Sequence, residues 1–407
     1  MKKRISLPWY VKDILKILDK AGFESFVVGG AIRDSLLGRP VHDYDITTNA
    51  LPSQIIELFE SKNYTVCPTG LQHGTVTVVN ECNNIEVTTY RIDGQYLDNR
   101  RPQSVEFVKN IEQDLARRDF TINALAYHPK TGIVDLFNGI QDLKNKVIKC
   151  VGDPYERFSE DSLRIVRAIR FANQLDFKLD YDLRYHIISL KKNLKYVSAE
   201  RKREELNKII ESRHSIRYFE LLKEVLPEIF CEHYNFQGNR LLDIDNTGDL
   251  VQNLTILFIY DILKLESLET LKYDNNTINA VKNAMSCYSI IKGNKSHIMD
   301  LEDIDYFLKK ELMSKFSQET INTTIGIILT ENSYECEFIC KVLTQIGKIQ
   351  STKSPILIKD LDINGNDLKA LGYNGEEIGE ALILLQKFVW QYPEHNKKET
   401  LIKRLKQ

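Results

Sequence analysis

Residues 26–48, FVVGGAIRDSLLGRPVHDYDITT, set a glycine pair and two aspartates between apolar runs, and this stretch narrows the fold more than any other. Phe26-Val27-Val28 reads as a short strand, Gly29-Gly30 as a turn, the part with Arg33-Asp34 as a helical turn, and the part with Asp43 and Asp45 as a second strand. Side chains alternate along a strand, so Asp43 and Asp45 are expected on one face. Two adjacent carboxylates repel, and a cation between them removes the conflict; hard oxygen ligands suit Mg²⁺. Gly29 and Gly30 let the backbone approach a ligand, and the amides that open the next helix favour phosphate. Arg33 adds a permanent positive charge. Singly, a D-x-D is an ordinary solvated strand end and Gly-Gly an ordinary turn. Together they form a phosphate cradle followed by a two-carboxylate metal site, the equipment of phosphoryl or nucleotidyl transfer.

At 407 residues the chain is too long for one core, which predicts about two to four domains. No apolar run approaches the roughly 20 residues that span a bilayer. The start, MKKRISLPWYVKD, is basic, but Lys12, Asp13 and Lys16 interrupt its apolar residues, so no signal peptide is expected. The 7 cysteines are scattered without a C-x-x-C pair. They predict reduced thiols in a cytoplasm and no zinc site. With a net charge of −2, any nucleic-acid surface must be local. Lys and Arg cluster at 100–101, 117–118, 191–195, 201–203 and 397–406, each of which alone reads as a solvated face.

Along the chain, residues 8–20 carry Val11, Ile14, Leu15 and Leu18 at helical spacing, and a helix is expected at 53–61 after Pro52. Strands are expected near 64–67, 74–79 and 85–90. The last buries Ile85 and Val87 and leaves Glu86 on the other face, where a third carboxylate could complete a metal site, take a proton from an attacking hydroxyl, or simply face water. Residues 91–104 read as a long mobile loop able to close over a substrate. Arg117-Arg118-Asp119 offers Arg118 to a triphosphate or a sugar, or a plain surface salt bridge. A strand at 147–151 and the Gly152-Asp153-Pro154 stop predict a boundary near 152, with helices beyond it.

Residues 157–172 read as one helix, in which Asp161 and Arg164 share a face and Arg167 and Arg170 continue the spacing. A carboxylate accepts hydrogen bonds and a guanidinium donates them. Side by side they match the amino donor and ring-nitrogen acceptor that cytosine and adenine share, and leave unpaired groups against uracil and guanine. The plainer reading is a surface ion pair worth about 0.3 kcal/mol.

Residues 26–48 resemble the nucleotidyltransferase superfamily that includes DNA polymerase β and, more narrowly, the class II tRNA nucleotidyltransferases (CCA-adding enzymes) and bacterial poly(A) polymerases. An acidic residue before the T-x-R of Thr89-Tyr90-Arg91, the run Arg117-Arg118-Asp119-Phe120-Thr121-Ile122-Asn123-Ala124, the E-D-x-x-R-x-x-R of Glu160 to Arg167, and Ser198-Ala199-Glu200-Arg201 extend the resemblance to about 206. It is suggestive again over 357–400, where a Gly-rich turn at Gly372–Gly379 resembles the tail motif of the CCA-adding enzymes, and silent between.

The resemblance implies an α+β fold, with a polymerase-β-like mixed-sheet head over 1–151. An all-helical neck at 152–215, body at 216–310 and tail at 311–407 would follow, in an elongated, cytoplasmic protein. It implies addition of CCA from CTP and ATP to the 3′ end of tRNA by two-metal transfer. Asp43 and Asp45 would hold Mg²⁺, with Glu86 beside them. Gly30, Arg33, Arg118, Asp161, Arg164, Arg167 and Arg170 would hold the nucleotide, Glu160 would steady the base-reading pair, and the Arg201 segment would support the base-reading helix with little direct chemistry. The helical half would grip the acceptor and T-arm. A partial CC- or A-adding enzyme and a poly(A) polymerase are the alternatives. The full-length 91–104 segment and the lack of a long basic C-terminal extension argue against them. A non-catalytic RNA-binding relative conflicts with the intact Asp43/Asp45 pair. A phosphohydrolase read from His42-Asp43 finds no second metal set in the helical half.

Overall fold

The computed structural model of the chain describes residues 4–80, 83–94, 105–212, 219–230, 249–260, 262–300, 304–331 and 336–406. They form two compact units, Met1–Tyr234 with Thr270–Lys272, and Asn235–Glu269 with Tyr273–Gln407.

The first unit opens with α1 (Trp9–Lys20), which buries Val11, Ile14, Leu15, Ile17 and Leu18 as its apolar spacing demands. A seven-stranded sheet follows. Its strands are β1 (Ser25–Val28), β2 (Asp45–Thr48), β3 (Thr65–Gly70), β4 (Thr75–Asn80), β5 (Asn83–Thr89), β8 (Leu125–His128) and β9 (Gly132–Asp135), in the spatial order β3-β4-β5-β2-β1-β8-β9. Helices α2 (Gly30–Leu37) and α3 (Pro52–Glu60) fill the connections around β2, α4 (Ile111–Ala116) precedes β8, and α5 (Gly139–Asn145) follows β9. The sheet interior is apolar: Val27, Ile46, Val76, Val78, Ile85 and Val87 are buried. The expected strands are present with their ends moved by a few residues.

Two expectations fail here for physical reasons. Asp43 lies outside any strand, because β2 starts at Asp45. Asp45 is paired with Val28 of β1, after which that chain turns at Gly29 into α2, and with Glu86 of β5, and neither ladder continues back to residue 43. Residues 91–104 are not all loop either. Arg91–Asp93 is β6, paired antiparallel with β7 (Val105–Phe107); residues 95–104 lie outside the described residues.

Beyond β10 (Val147–Ile148), which is shorter than the expected 147–151 strand and pairs with β11 (Lys178–Leu179), the unit is helical. The expected single helix over 157–172 is two: α6 (Pro154–Glu160) and α7 (Leu163–Leu175). Asp161 breaks them with an extended backbone, φ −138° and ψ 102°. Helices α8 (Tyr181–Leu190), α9 (Ala199–Ile210) and α10 (Phe219–Phe230) complete the unit. Ser198 stands at the N-cap position of α9, but its side chain makes no capping bond.

The second unit is helical throughout its described residues: α11 (Leu250–Ile259), α12 (Glu266–Thr270, whose last residue joins the first unit), α13 (Asn275–Gly293), α14 (Lys295–Asp300), α15 (Ile304–Phe307), a π-helical turn (Leu308–Met313), α16 (Gln318–Glu331), α17 (Cys336–Ser351), α18 (Gly365–Ala370), α19 (Glu376–Gln391) and α20 (Lys398–Leu405). One core gathers Ile291, Leu308, Ile328, Val342 and Ile346; another gathers Leu368, Leu385, Val389 and Leu401. Among the described residues no helix is long and apolar enough to cross a membrane.

Candidate active site

Three carboxylates meet at one end of the sheet. β2 and β5 are parallel neighbours, and Asp45 is the register partner of Glu86. Partners across a ladder share a face, so both carboxylates project to the same side, opposite the buried Ile85 and Val87. Asp43 reaches the same place from the irregular segment before β2, close enough for its charge to act on Asp45. Asp45 is solvent-exposed, yet nearby protein strips part of the water from its carboxylate. That desolvation raises its pKa; the Glu86 charge raises it further, Arg118 lowers it, and Asp43 raises it again. The net effect is upward, so like charges have been assembled at a cost.

These donors fit a hard divalent cation. Among the described residues no group of three or more His, Cys, Asp or Glu could hold a metal alone. An open pair of carboxylates that leaves positions for water and phosphate is nevertheless how Mg²⁺ is commonly bound.

Beside the carboxylates lies the glycine turn. Gly29 takes φ +71°, and a β-carbon built on it would sit 3.2 Å from Arg118 Nη1. Glycine is required there by the backbone and by the guanidinium packed against it. Arg118 Nη2 lies 3.4 Å from Asp114 Oδ2, while its Nε is buried without a hydrogen-bond partner. Asp114 is fully buried at 0 % exposure. It accepts from Arg117 Nε at 3.0 Å and Nη2 at 2.8 Å, and more distantly from the Arg91 amide and the Thr47 hydroxyl, each at 3.4 Å. Burial works against its charge, but Arg117 and then Arg118 outweigh it and lower its pKa.

Arg33 is committed within the protein. Its Nε and Nη2 donate to the two Asp34 carboxylate oxygens at 3.0 and 2.8 Å, and its Nη1 donates to Asn123 Oδ1 at 2.8 Å. Asn123 in turn donates to Asp119 Oδ1 at 3.1 Å. The guanidinium also lies 4.9 Å from the Phe171 ring centre, a ring that Arg170 approaches at 3.9 Å. Arg33 therefore stiffens the turn from beneath.

A pocket of about 300 Å³ opens next to Arg118, lined by Arg117, Arg118, Asp119, Asp161, Leu163, Arg164, Arg167 and Arg201. The charges in its wall are matched. Arg167 donates to Asp119 Oδ2 from Nε at 2.9 Å and Nη2 at 2.7 Å, and reaches Glu205 at 3.3 Å. Arg170 Nε lies 2.5 Å from Glu205 Oε2. Burial would raise the Asp119 pKa, but Arg167, Asn123 and Arg164 reverse that and bring it to about 2. Arg164 donates to Glu160 Oε2 at 2.7 Å, to the Arg157 carbonyl at 3.2 Å and to the Arg117 carbonyl at 2.9 Å.

Asp161 and Arg164 do not share a helix face, because Asp161 sits in the break between α6 and α7. Tertiary folding still brings both to one pocket. Asp161 pairs instead with Arg201, at 3.2 Å through Nη1–Oδ1 and 2.8 Å through Nη2–Oδ2. The sequence reading gives the Arg201 segment a supporting place; the structure adds that Arg201 itself pairs with Asp161 and lines the pocket. The cue was Asp161-Ser162 ahead of Leu163, a capping pair that can begin a new helix as readily as continue an old one. Of the Asp161 and Arg164 pair that Glu160 is expected to steady, it bonds Arg164. In the second unit Gly372 (φ +98°) and Gly375 (φ +54°) form the turn between α18 and α19, the Gly-rich turn singled out in the tail.

Comparison with known proteins follows the same division. Residues 25–149 match the family described as the Poly A polymerase head domain, and residues 176–226 match one described as the probable RNA and SrmB-binding site of polymerase A. The chain is 34% identical to the CCA-adding enzyme of Ligilactobacillus salivarius over 98% of this chain and 97% of that protein. It is also 34% identical to the CCA-adding enzyme of Staphylococcus epidermidis, over 88% of this chain and 86% of that one. Among solved structures it is similar to the Bacillus stearothermophilus CCA-adding enzyme in complex with CTP, with a TM-score of 0.76 and 26% identity over 97% of each chain.

Proposed function

This chain belongs to the family of CCA-adding enzymes, and on that premise we propose that its head transfers CMP and AMP from CTP and ATP to the 3′-hydroxyl of tRNA, with release of pyrophosphate. The observation that carries this reading is the position of Arg118. It packs against Gly29, its charge acts on Asp45, and it lines the arginine pocket. A triphosphate lying along Arg118 therefore joins the carboxylates at one end to a base in the pocket at the other.

Asp43 and Asp45 hold Mg²⁺ in this reading, with Glu86 alongside. A divalent cation held there would supply Lewis-acid activation of the hydroxyl and offset the triphosphate charge. The protein's own groups do the rest. The Gly29-Gly30 backbone and the Arg118 guanidinium, which lines the pocket, receive phosphate oxygens. Asp161 and Arg164 meet the amino and ring-nitrogen edge of cytosine or adenine. Glu160, Asp119 and Glu205 hold Arg164, Arg167 and Arg170 at fixed positions before any nucleotide arrives, so little ordering remains to be done on binding. Arg33 acts through the turn it braces.

We assign the head to 1–151, the neck to 152–215, the body to 216–310 and the tail to 311–407, with the helical half gripping the acceptor and T-arm of tRNA by shape and phosphate contacts. The described cysteines Cys67, Cys150, Cys287 and Cys340 are free thiols, which fits a cytoplasmic setting.

The test is incorporation of labelled CTP and ATP, separately and together, into tRNAs ending before CC, after C and after CC. CCA and nothing more on the shortest tRNA supports the reading. Arrest at CC, A added only to the CC end, or long A tracts on unrelated RNA would replace it with a partial enzyme or a poly(A) polymerase.

A further inference from the structure

Asp119 and Asp161 are the two carboxylates in the pocket wall, and they differ in how many of their acceptor sites are used. A carboxylate has about four such sites. Asp119 spends all of them, two on the Phe120 amide and Asn123 and two on Arg167. Asp161 spends three. Its Oδ1 accepts from the Leu163 amide at 3.2 Å and from Arg201 Nη1, and among the described residues its Oδ2 accepts only from Arg201 Nη2. One acceptor site is left, on Oδ2, with its direction set by a bidentate guanidinium.

We propose that Arg201 is a specificity-determining positioning residue: it holds the Asp161 carboxylate so that the single remaining acceptor faces the base, and thereby sets the discrimination of cytosine and adenine against uracil and guanine. The inference rests on the reading that the chain adds C and A. It assigns Arg201 a task beyond the packing of α9. That packing has its own ties, since Glu205, one turn further along α9, pairs with Arg167 and Arg170 of α7, and Lys202 donates to the Glu228 carbonyl of α10. Arg201 keeps 32 % of its side chain exposed where it lines the pocket.

The chemistry follows from the acceptor count. The amino group of cytosine or adenine fills the last Oδ2 site and leaves the ion pair intact. The carbonyl of uracil or guanine would bring a second acceptor against it, which a fixed carboxylate cannot avoid. Without Arg201, Asp161 keeps only the Leu163 amide and can rotate its oxygens away from a carbonyl. Selectivity then falls while the reacting groups, which lie at the other end of the nucleotide, are untouched.

The experiment compares the unsubstituted protein with Arg201→Gln and Arg201→Lys, measuring kcat and KM for CTP and for UTP on a tRNA ending before CC, together with thermal midpoints. Arg201→Gln is expected to cut the CTP-over-UTP ratio of kcat/KM by about tenfold, through a lower KM for UTP and a higher KM for CTP, with kcat for CTP at saturation changed less than about threefold. Arg201→Lys should recover part of the ratio, because one ammonium can hold one oxygen but not both. An unchanged ratio in Arg201→Gln, or a loss of kcat and thermal midpoint together at constant ratio, would overturn the inference and leave a packing ion pair. If Arg201→Gln does not fold, Arg201→Lys decides alone: its ratio must fall. Failure of the unsubstituted protein to incorporate CTP would instead sink the nucleotidyl-transfer reading, and the inference with it.

Discussion

The two ends of the candidate site treat charge in opposite ways. At the edge formed by the strand ends of β2 and β5, Asp43, Asp45 and Glu86 gather like charges, and the pKa of Asp45 rises because burial, Glu86 and Asp43 together outweigh Arg118. In the pocket wall Asp161 meets Arg201, Arg164 meets Glu160 and Arg167 meets Asp119, while Arg170, which does not line the pocket, meets Glu205 in the interior. The first arrangement leaves like charges uncompensated; the second pairs its charges within the protein. A reacting centre needs charge that changes hands, whereas a reading surface needs donors and acceptors that stay where they are. Substitutions at the two ends should therefore fail differently.

The largest effect is expected at the edge. Asp45→Asn should lower nucleotide incorporation by about a thousandfold, the scale of a lost metal ligand. Its thermal midpoint without divalent cation should stay level or rise, because a like charge has been removed beside Glu86 and Asp43. A midpoint that falls together with activity would break the contrast. In the pocket the order reverses. Asp119→Ala strips Arg167 of its bidentate partner and should cost about 2 kcal/mol of stability by denaturant titration, less than a fully buried pair because Arg167 is 30 % exposed and keeps Glu205. Acid should act on the same pair. The folded Asp119 pKa of about 2 lies below the usual carboxylate value. The native state thus binds fewer protons than the unfolded chain, so this stabilisation is present above about pH 4 and fades as pH falls towards 2. Asp119→Asn should flatten that part of the stability profile.

The edge was more legible in the sequence than the pocket. Gly29-Gly30, the D-x-D and the alternation of Ile85, Glu86 and Val87 are local signals, because strand period and glycine permissiveness act over a few residues. Even there Asp43 was misplaced, since whether a strand extends depends on its neighbour: β1 ends at Val28, and the sequence of β2 does not say so. The pocket depends on distant pairs. Arg201 and Asp161 are forty positions apart, and Arg167 and Asp119 are separated by forty-eight. A helical reading of 157–172 satisfied apolar spacing equally well, because Leu163, Ile165, Val166 and Ile169 are buried in either case. Only tertiary pairing settles the break at Asp161.

A smaller effect probes the join between the two ends. Gly29→Ala forces a side chain onto φ +71° and places a β-carbon 3.2 Å from Arg118 Nη1. The strain is on the order of 1–2 kcal/mol, and the displaced guanidinium should appear as a raised KM for both CTP and ATP with their ratio unchanged. A change in that ratio would mean the two ends are not separate devices.

The smallest effect tests the edge through protons. Because Asp45 has a raised pKa in the folded chain, the native state holds a proton the unfolded chain has already released. Ionising Asp45 therefore lowers stability as pH rises from the ordinary carboxylate range through the raised value. A divalent cation at the site competes with that proton and binds only the folded state. Saturating Mg²⁺ should then raise the thermal midpoint by about 2–4 °C at pH 8, and the rise should shrink as pH falls through the Asp45 titration. In Asp45→Asn both the rise and its pH dependence should disappear, while the acid-sensitive contribution of Asp119 persists. Loss of the Asp119 contribution in the same variant would show that edge and pocket titrate as one network, and the contrast between an uncompensated end and a paired one would not stand.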